Sequence, residues 1–154
     1  NIQKKGNITE LSNLIRTSTK IKAIIVEQDE REKSVRAYLN FGHTFAHAIE
    51  SVQSFKGLNH GEAVAVGLVC AAKLSFLLGK INLEEFDKIK SLIKKFSLPS
   101  KLPSNCAPAK ILKAMQSDKK SKDATLRFII LDGVGKAKIV ENVAKEKILN
   151  SLKI

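Results

Sequence analysis

The residues best suited to chemistry in this chain are its three histidines, His43, His47 and His60, all confined to one short stretch. An imidazole titrates near neutral pH, moves protons and binds divalent metals through a ring nitrogen. His43 and His47 stand four residues apart, so on a helix they share a face and could chelate one metal ion. The H-x-x-x-H spacing alone is common. The metalloprotease pattern H-E-x-x-H is absent, because Thr44 stands where the catalytic glutamate would be. His60 opens the segment His60-Gly61-Glu62-Ala63-Val64. The positive end of a helix dipole there disfavours the imidazolium and keeps the ring in its metal-binding form. Gly61 lets the backbone pass close to a ligand.

These side chains need a helix to carry them, and residues 35–52 read as one. At about 100° per residue, Arg36, Asn40, His43 and His47 fall near 0°, 40°, −20° and 20°, within an arc of about 60°. Glu50 falls on the edge of the same arc, near −40°. Between them Leu39, Phe41, Phe45, Ala46, Ala48 and Ile49 supply apolar faces. A solvent face in this chain is built from Lys and Glu, as in Lys88 to Lys95. A stripe of Arg, Asn, His and His is a different composition and points to a cleft.

The surrounding elements follow from periodicity. Thr9 to Glu27 is expected to be helical, with Thr9 as N-cap and Leu11, Leu14, Ile15, Ile21 and Ile25 at helical spacing. The charged run from Glu27 to Lys33 reads as a loop or a frayed end. Residues 53–59 form a short connection containing Gly57. A long apolar helix runs from His60 to Leu78, with Gly79 placed to end it. Asn82 and Glu85 form a capping box for an amphipathic helix that Pro99 terminates. Pro108 opens a short helix to about Ser117. The run Leu126 to Leu131, the turn Asp132-Gly133-Val134-Gly135 and the segment Ala137 to Val140 predict a β-hairpin. Asn142 is expected to cap a closing helix. The fold class is therefore mainly α, with one small hairpin near the C-terminus that must pack on a helix to be stable. Residues 1–154 read as a single helical domain.

Composition narrows the function. The 154 residues are 44% apolar and 27% charged, which suits a soluble domain with a core. No apolar run reaches the roughly 20 residues that a membrane span needs. Cys70 and Cys106 form no C-x-x-C pair and read as thiols of a reducing cytoplasm. The net charge of +12 could serve nucleic acid, an anionic surface or an anionic small substrate. Its lysines are scattered, and with one Tyr and no Trp the chain lacks a platform for stacking bases, so nucleic acid is not expected. The chain opens on Asn1 with no signal peptide, and it reads as cut from something longer.

The segment Arg36-Ala-Tyr-Leu-Asn-Phe-Gly-His-Thr-Phe-Ala-His-Ala-Ile-Glu50, followed by Asn59-His-Gly-Glu-Ala-Val-Ala-Val-Gly67, closely resembles the signature of the 3-dehydroquinate synthase family. The run Ile21 to Glu32 agrees in order and spacing. So does Asp118-Lys119-Lys120, followed by Leu126 to Leu131 and the Gly133/Gly135 turn. The resemblance extends from about Lys22 to the C-terminus. It implies the helical C-terminal domain of an enzyme that converts the sugar acid phosphate DAHP to 3-dehydroquinate and phosphate in the shikimate pathway. That family uses a tightly bound NAD and one divalent metal, zinc or another ion such as cobalt.

Carried over by position, the resemblance makes His43 and His60 metal ligands. The family's third ligand, a glutamate in a Glu-x-x-Lys motif, is expected upstream of Asn1, as is the NAD-binding domain. Both cofactors are thus expected to need that missing half, and the isolated chain is expected to be inactive. The resemblance puts His47 beside the substrate as a proton carrier, Lys22 and Arg36 on the substrate carboxylate, and Asn40 and Lys119 on its phosphate. It implies oxidation of a ring hydroxyl, elimination of phosphate, return of the hydride, ring opening and an aldol closure. It also implies a cytoplasmic homodimer for the full-length protein.

Two positions depart from the family pattern. Ala46 replaces a usual Gly, where an added methyl is expected to tighten the space beside the metal. Ser34-Val35 replaces Gly-Leu. Rival readings are another sugar phosphate cyclase, or a non-catalytic helical module that binds anions or nucleic acid. Lys22, Arg36 and Asn40 favour a substrate bearing a carboxylate.

Overall fold

A computed structural model of the chain describes residues 8–31, 35–120 and 125–154, with the backbone alone for residues 118–120. The described chain forms two compact units, residues 1–39 and 40–154.

In the first unit, helix α1 spans Ile8–Gln28. Thr9 lies within this helix and is not its cap. None of its residues is buried, and Leu11, Leu14, Ile15 and Ile21 keep their apolar stripe exposed. The charged run after it begins as a turn, with the Asp29 amide donating to the Val26 carbonyl at 3.1 Å. Asp29 then accepts the Arg36 amide at 3.1 Å, at the start of a 3₁₀ helix, Val35–Asn40.

That 3₁₀ helix corrects the single helix expected over 35–52. The chain turns at Phe41 and Gly42, and α2 begins only at His43, running to Val52. The break sits at Gly42, whose φ of 84° lies in the left-handed region that glycine occupies without a Cβ penalty. Contact with the next long helix also demands a glycine there. A Cβ on Gly42 would stand 2.7 Å from the backbone nitrogen of Leu68.

The second unit is built around α3, His60–Leu77. By length and composition α3 could cross a membrane, yet its buried residues face all round, from Ala63 through Val66, Val69, Cys70 and Ala72 to Leu74. An all-round apolar helix inside a globular unit is a core helix. Around it pack α2, α4 (Leu83–Lys95), the hairpin and α6 (Lys145–Ser151), while α5 (Pro108–Lys120) packs on α2 and α6. The main core joins Phe45, Ile49, Val66, Leu74, Ile111, Met115, Phe128, Ile130, Ile148 and Leu152. A second cluster joins Val69, Ala72, Ile81 and Phe86 under α4.

Both α3 and α4 begin with reciprocal capping boxes, Asn59 with Glu62 and Asn82 with Glu85. The second was expected from sequence. Gly79, with φ of 70°, follows the α3 C-cap as expected. Helix α5 runs past Ser117 to Lys120.

The hairpin pairs β1 (Phe128–Leu131) with β2 (Ala137–Val140), with Phe128 opposite Val140 and Leu131 opposite Ala137. Leu126 stays outside the strand. The support that a lone hairpin needs comes from α3. The fully buried Ser75 hydroxyl accepts the Leu131 amide at 2.9 Å and donates to the Ala71 carbonyl at 2.8 Å. Asn142 does not cap the last helix. It takes a φ of 55°, and α6 starts from Ala144 without a side-chain cap. An asparagine tolerates that conformation and here serves the turn leading to the helix.

Candidate functional site

The start of α2 and the start of α3 deliver the histidines to one place. His43 is the first residue of α2, and His47 follows one turn later. Their rings lie 5.7 Å apart, centroid to centroid. His60 is the first residue of α3, held there by the Asn59 capping box. Its ring is 5.6 Å from that of His43 and 6.2 Å from that of His47. Two imidazoles bound to one tetrahedral ion by bonds of about 2 Å have centroids about 5 Å apart. The His43–His60 spacing fits that requirement.

The three rings differ in surroundings. His43 is half-buried, and its Nδ1 is fully buried with no hydrogen-bond partner among the described residues. Burial holds its pKa below the ordinary 6.5; the nearby His47 and His60 add to the shift, and backbone groups at Phe41 and Asn40 oppose it. The neutral imidazole is the form that binds a metal. His60 is bound at Nδ1 to the Glu50 carboxylate, 2.9 Å away. His47 is exposed. Among the described residues no group of three His, Cys, Asp or Glu is placed to hold a metal ion.

His43 and His47 open onto a cleft of about 980 Å³. Asn40, His43 and His47 line it together with Lys110, Lys113 and Arg127. The Thr44 hydroxyl donates to the Arg127 carbonyl at 3.1 Å. The Arg127 guanidinium is itself paired with Glu141 at 3.0 Å. Lys110 and Lys113 stand one turn apart on α5, a spacing legible in sequence but lost among the many lysines.

The remaining candidates are distributed otherwise. Lys22 is exposed on α1, in the unit formed by residues 1–39. Arg36 belongs to the same unit, where its guanidinium donates to the Glu30 carbonyl at 2.6 Å. Lys119 falls outside the described side chains, and Ser34 outside the described residues. Ala46 lies between the two α2 histidines in sequence. It is fully buried and does not line the cleft. Its backbone nitrogen lies 3.1 Å from where a Cβ on Gly67 of α3 would stand.

A core helix flanked by shorter helices, with a hairpin sealed onto it and histidines at two helix starts, has the fold of the sugar phosphate cyclases. The chain superposes on a 2-deoxy-scyllo-inosose synthase complexed with carbaglucose-6-phosphate, NAD+ and Co2+. The TM-score is 0.81 and the identity 27%, over 94% of this chain and 42% of that one. It also superposes on a 2-epi-5-epi-valiolone synthase from Streptomyces hygroscopicus subsp. jinggangensis with NAD+ and Zn2+ bound. That TM-score is 0.78 at 23% identity, over 91% of this chain and 38% of that one, a likeness of fold.

Within that class the chain belongs to the 3-dehydroquinate synthase family: residues 1–121 match the family's C-terminal model, 3-dehydroquinate synthase C-terminal. It is 42% identical over 143 residues to the 3-dehydroquinate synthase of Thermodesulfovibrio yellowstonii, covering 91% of this chain and 40% of that protein. It is 46% identical over 138 residues to that of Nitrosomonas europaea, covering 90% and 37%. The chain thus spans about two fifths of the length of the curated relatives it matches.

Proposed function

We propose that this chain is the metal- and substrate-binding C-terminal part of a 3-dehydroquinate synthase, converting DAHP to 3-dehydroquinate and phosphate. The observation that carries the reading is the convergence of three imidazoles from two successive helices, two of them lining a cleft that also carries Lys110, Lys113 and Arg127. Identity above 40% to several 3-dehydroquinate synthases supports this substrate over those of the other cyclases.

In this reading His43 and His60 hold one divalent cation, zinc or cobalt, and the third ligand comes from the upstream part of the protein. A cation there supplies Lewis acidity to a substrate hydroxyl, and NAD bound by the upstream part supplies the hydride acceptor and donor. The chain's own residues bind and orient. His47, exposed beside the metal pair, takes up and returns protons at a ring nitrogen. Arg36 and Lys22 receive the substrate carboxylate, Arg36 through paired hydrogen bonds. Asn40 and Lys119 hold the phosphate. The positive charge of the chain serves this polyanionic substrate, with no role for nucleic acid or membrane. The complete enzyme is a cytoplasmic homodimer.

The test uses the full-length protein. Phosphate release is measured with DAHP and with a seven-carbon sugar phosphate that lacks the carboxylate. Turnover of DAHP, lost together with bound zinc in His43→Ala and His60→Ala, is the expected result. Preference for the carboxylate-free sugar would assign another cyclase activity. Salt-dependent DNA binding that persists without His43 and His60 would mark a non-catalytic module.

A further inference from the structure

Glu50 is the one carboxylate buried in the helix that carries His43 and His47. Its side chain is 10% exposed, against 60% for the His60 side chain that it meets. A carboxylate in that setting needs a partner, and its Oε1 lies 2.9 Å from His60 Nδ1. The contact spans the connection between α2 and α3. The Phe55 amide donates to the Glu50 carbonyl at 2.9 Å, and Ser54 and Phe55 take φ values of 52° and 57° to reverse the chain. The Asn59–Glu62 capping box then fixes where α3, and with it His60, begins.

We propose that Glu50 is a positioning residue that fixes both the rotation and the tautomer of His60. An ionised carboxylate only accepts hydrogen bonds, so a neutral His60 ring meeting it carries its proton on Nδ1. Nε2 is then the bare nitrogen, on the side of the ring opposite Glu50, and is the atom available to a metal. A carboxylate behind a histidine ligand also sets the orientation of the ring. The inference rests on the assignment of His60 as a metal ligand, and it adds a residue that sequence spacing places only at the edge of the polar stripe.

Two measurements test it. In the metal-free chain, long-range ¹H–¹⁵N correlation at a pH where the rings are neutral reads the His60 tautomer directly. In the full-length protein, zinc affinity is measured by competition with a chromophoric chelator for wild type, Glu50→Gln, Glu50→Ala and His60→Ala. We expect the proton on Nδ1 in the wild type. In Glu50→Ala we expect a mixed tautomer and zinc binding weaker by roughly 10–100-fold. Glu50→Gln keeps an accepting oxygen, so we expect it to recover much of that loss. Circular dichroism melts establish which variants are folded; if Glu50→Ala does not fold, the wild-type tautomer decides. A proton on Nε2 in the wild type, or zinc affinity unchanged in folded Glu50→Ala, overturns the inference. If His60→Ala binds zinc as tightly as wild type, the ligand assignment itself fails, whatever Glu50 does.

Discussion

Gly42 and Gly67 press backbone against backbone where the start of α2 crosses the middle of α3. A Cβ built on Gly67 would strike the Gly42 carbonyl oxygen and come within 3.1 Å of the Ala46 nitrogen. The same carbonyl accepts the amides of Phe45 and Ala46, at 3.2 and 3.0 Å, and so starts α2. The contact therefore sets the height at which His43 leaves the helix end.

Gly67→Ala is expected to destabilise the fold by about 1–3 kcal/mol, the usual cost of forcing extra atoms into a packed contact. Because backbone on both sides resists movement, the displaced part should be the start of α2. Urea denaturation measures the loss, and the chemical shifts of the His43 ring should change along with it.

The two capping boxes offer a matched comparison. Asn59→Ala and Asn82→Ala each remove a side-chain acceptor from a helix N-terminus, and each should cost about 1 kcal/mol. Only the first helix begins with a site residue. Thermal melts should show similar losses, whereas the His60 ring resonances should move in Asn59→Ala and stay put in Asn82→Ala.

The depressed pKa of His43 makes a prediction about pH. The folded chain favours the neutral ring, so its contribution to stability is fully present above the ordinary value of 6.5. As pH falls below that and through the lower folded value, the unfolded chain takes up the proton first and stability declines. In the metal-free chain, His43→Gln should flatten the fall in urea midpoint between pH 7 and pH 5. A slope unchanged by the substitution would assign the pH dependence to other groups.

Both cysteines should be silent in the native state. Cys70 and Cys106 are free and buried, and burial raises both thiol pKa values, so little reactive thiolate forms. Ellman's reagent should titrate almost no thiol in native buffer and two per chain in guanidinium.

The local chemistry was legible in the residues themselves. Asn82 and Glu85 announce a capping box because its two hydrogen bonds depend only on neighbours along the chain. The all-apolar run after His60 announces a core helix, and Phe128 to Leu131 announces a strand. The combined runs Arg36 to Glu50 and Asn59 to Gly67, with the matching pieces before and after them, carry the resemblance to the family. What the sequence did not settle lies wherever two distant backbones compete for the same space. A periodicity of 3.6 runs without interruption through residues 35–52, yet the helix breaks at Gly42, because close contact with Gly67 and Leu68 outweighs the hydrogen bonds that a continuous helix would have kept. Asn142 reads as a cap and becomes a left-handed turn residue instead. Residue types and their spacing determined which groups could do chemistry. Only tertiary packing decided which of them meet, such as Glu50 with His60, since a side-chain contact across a reversed connection depends on where both helices end and begin.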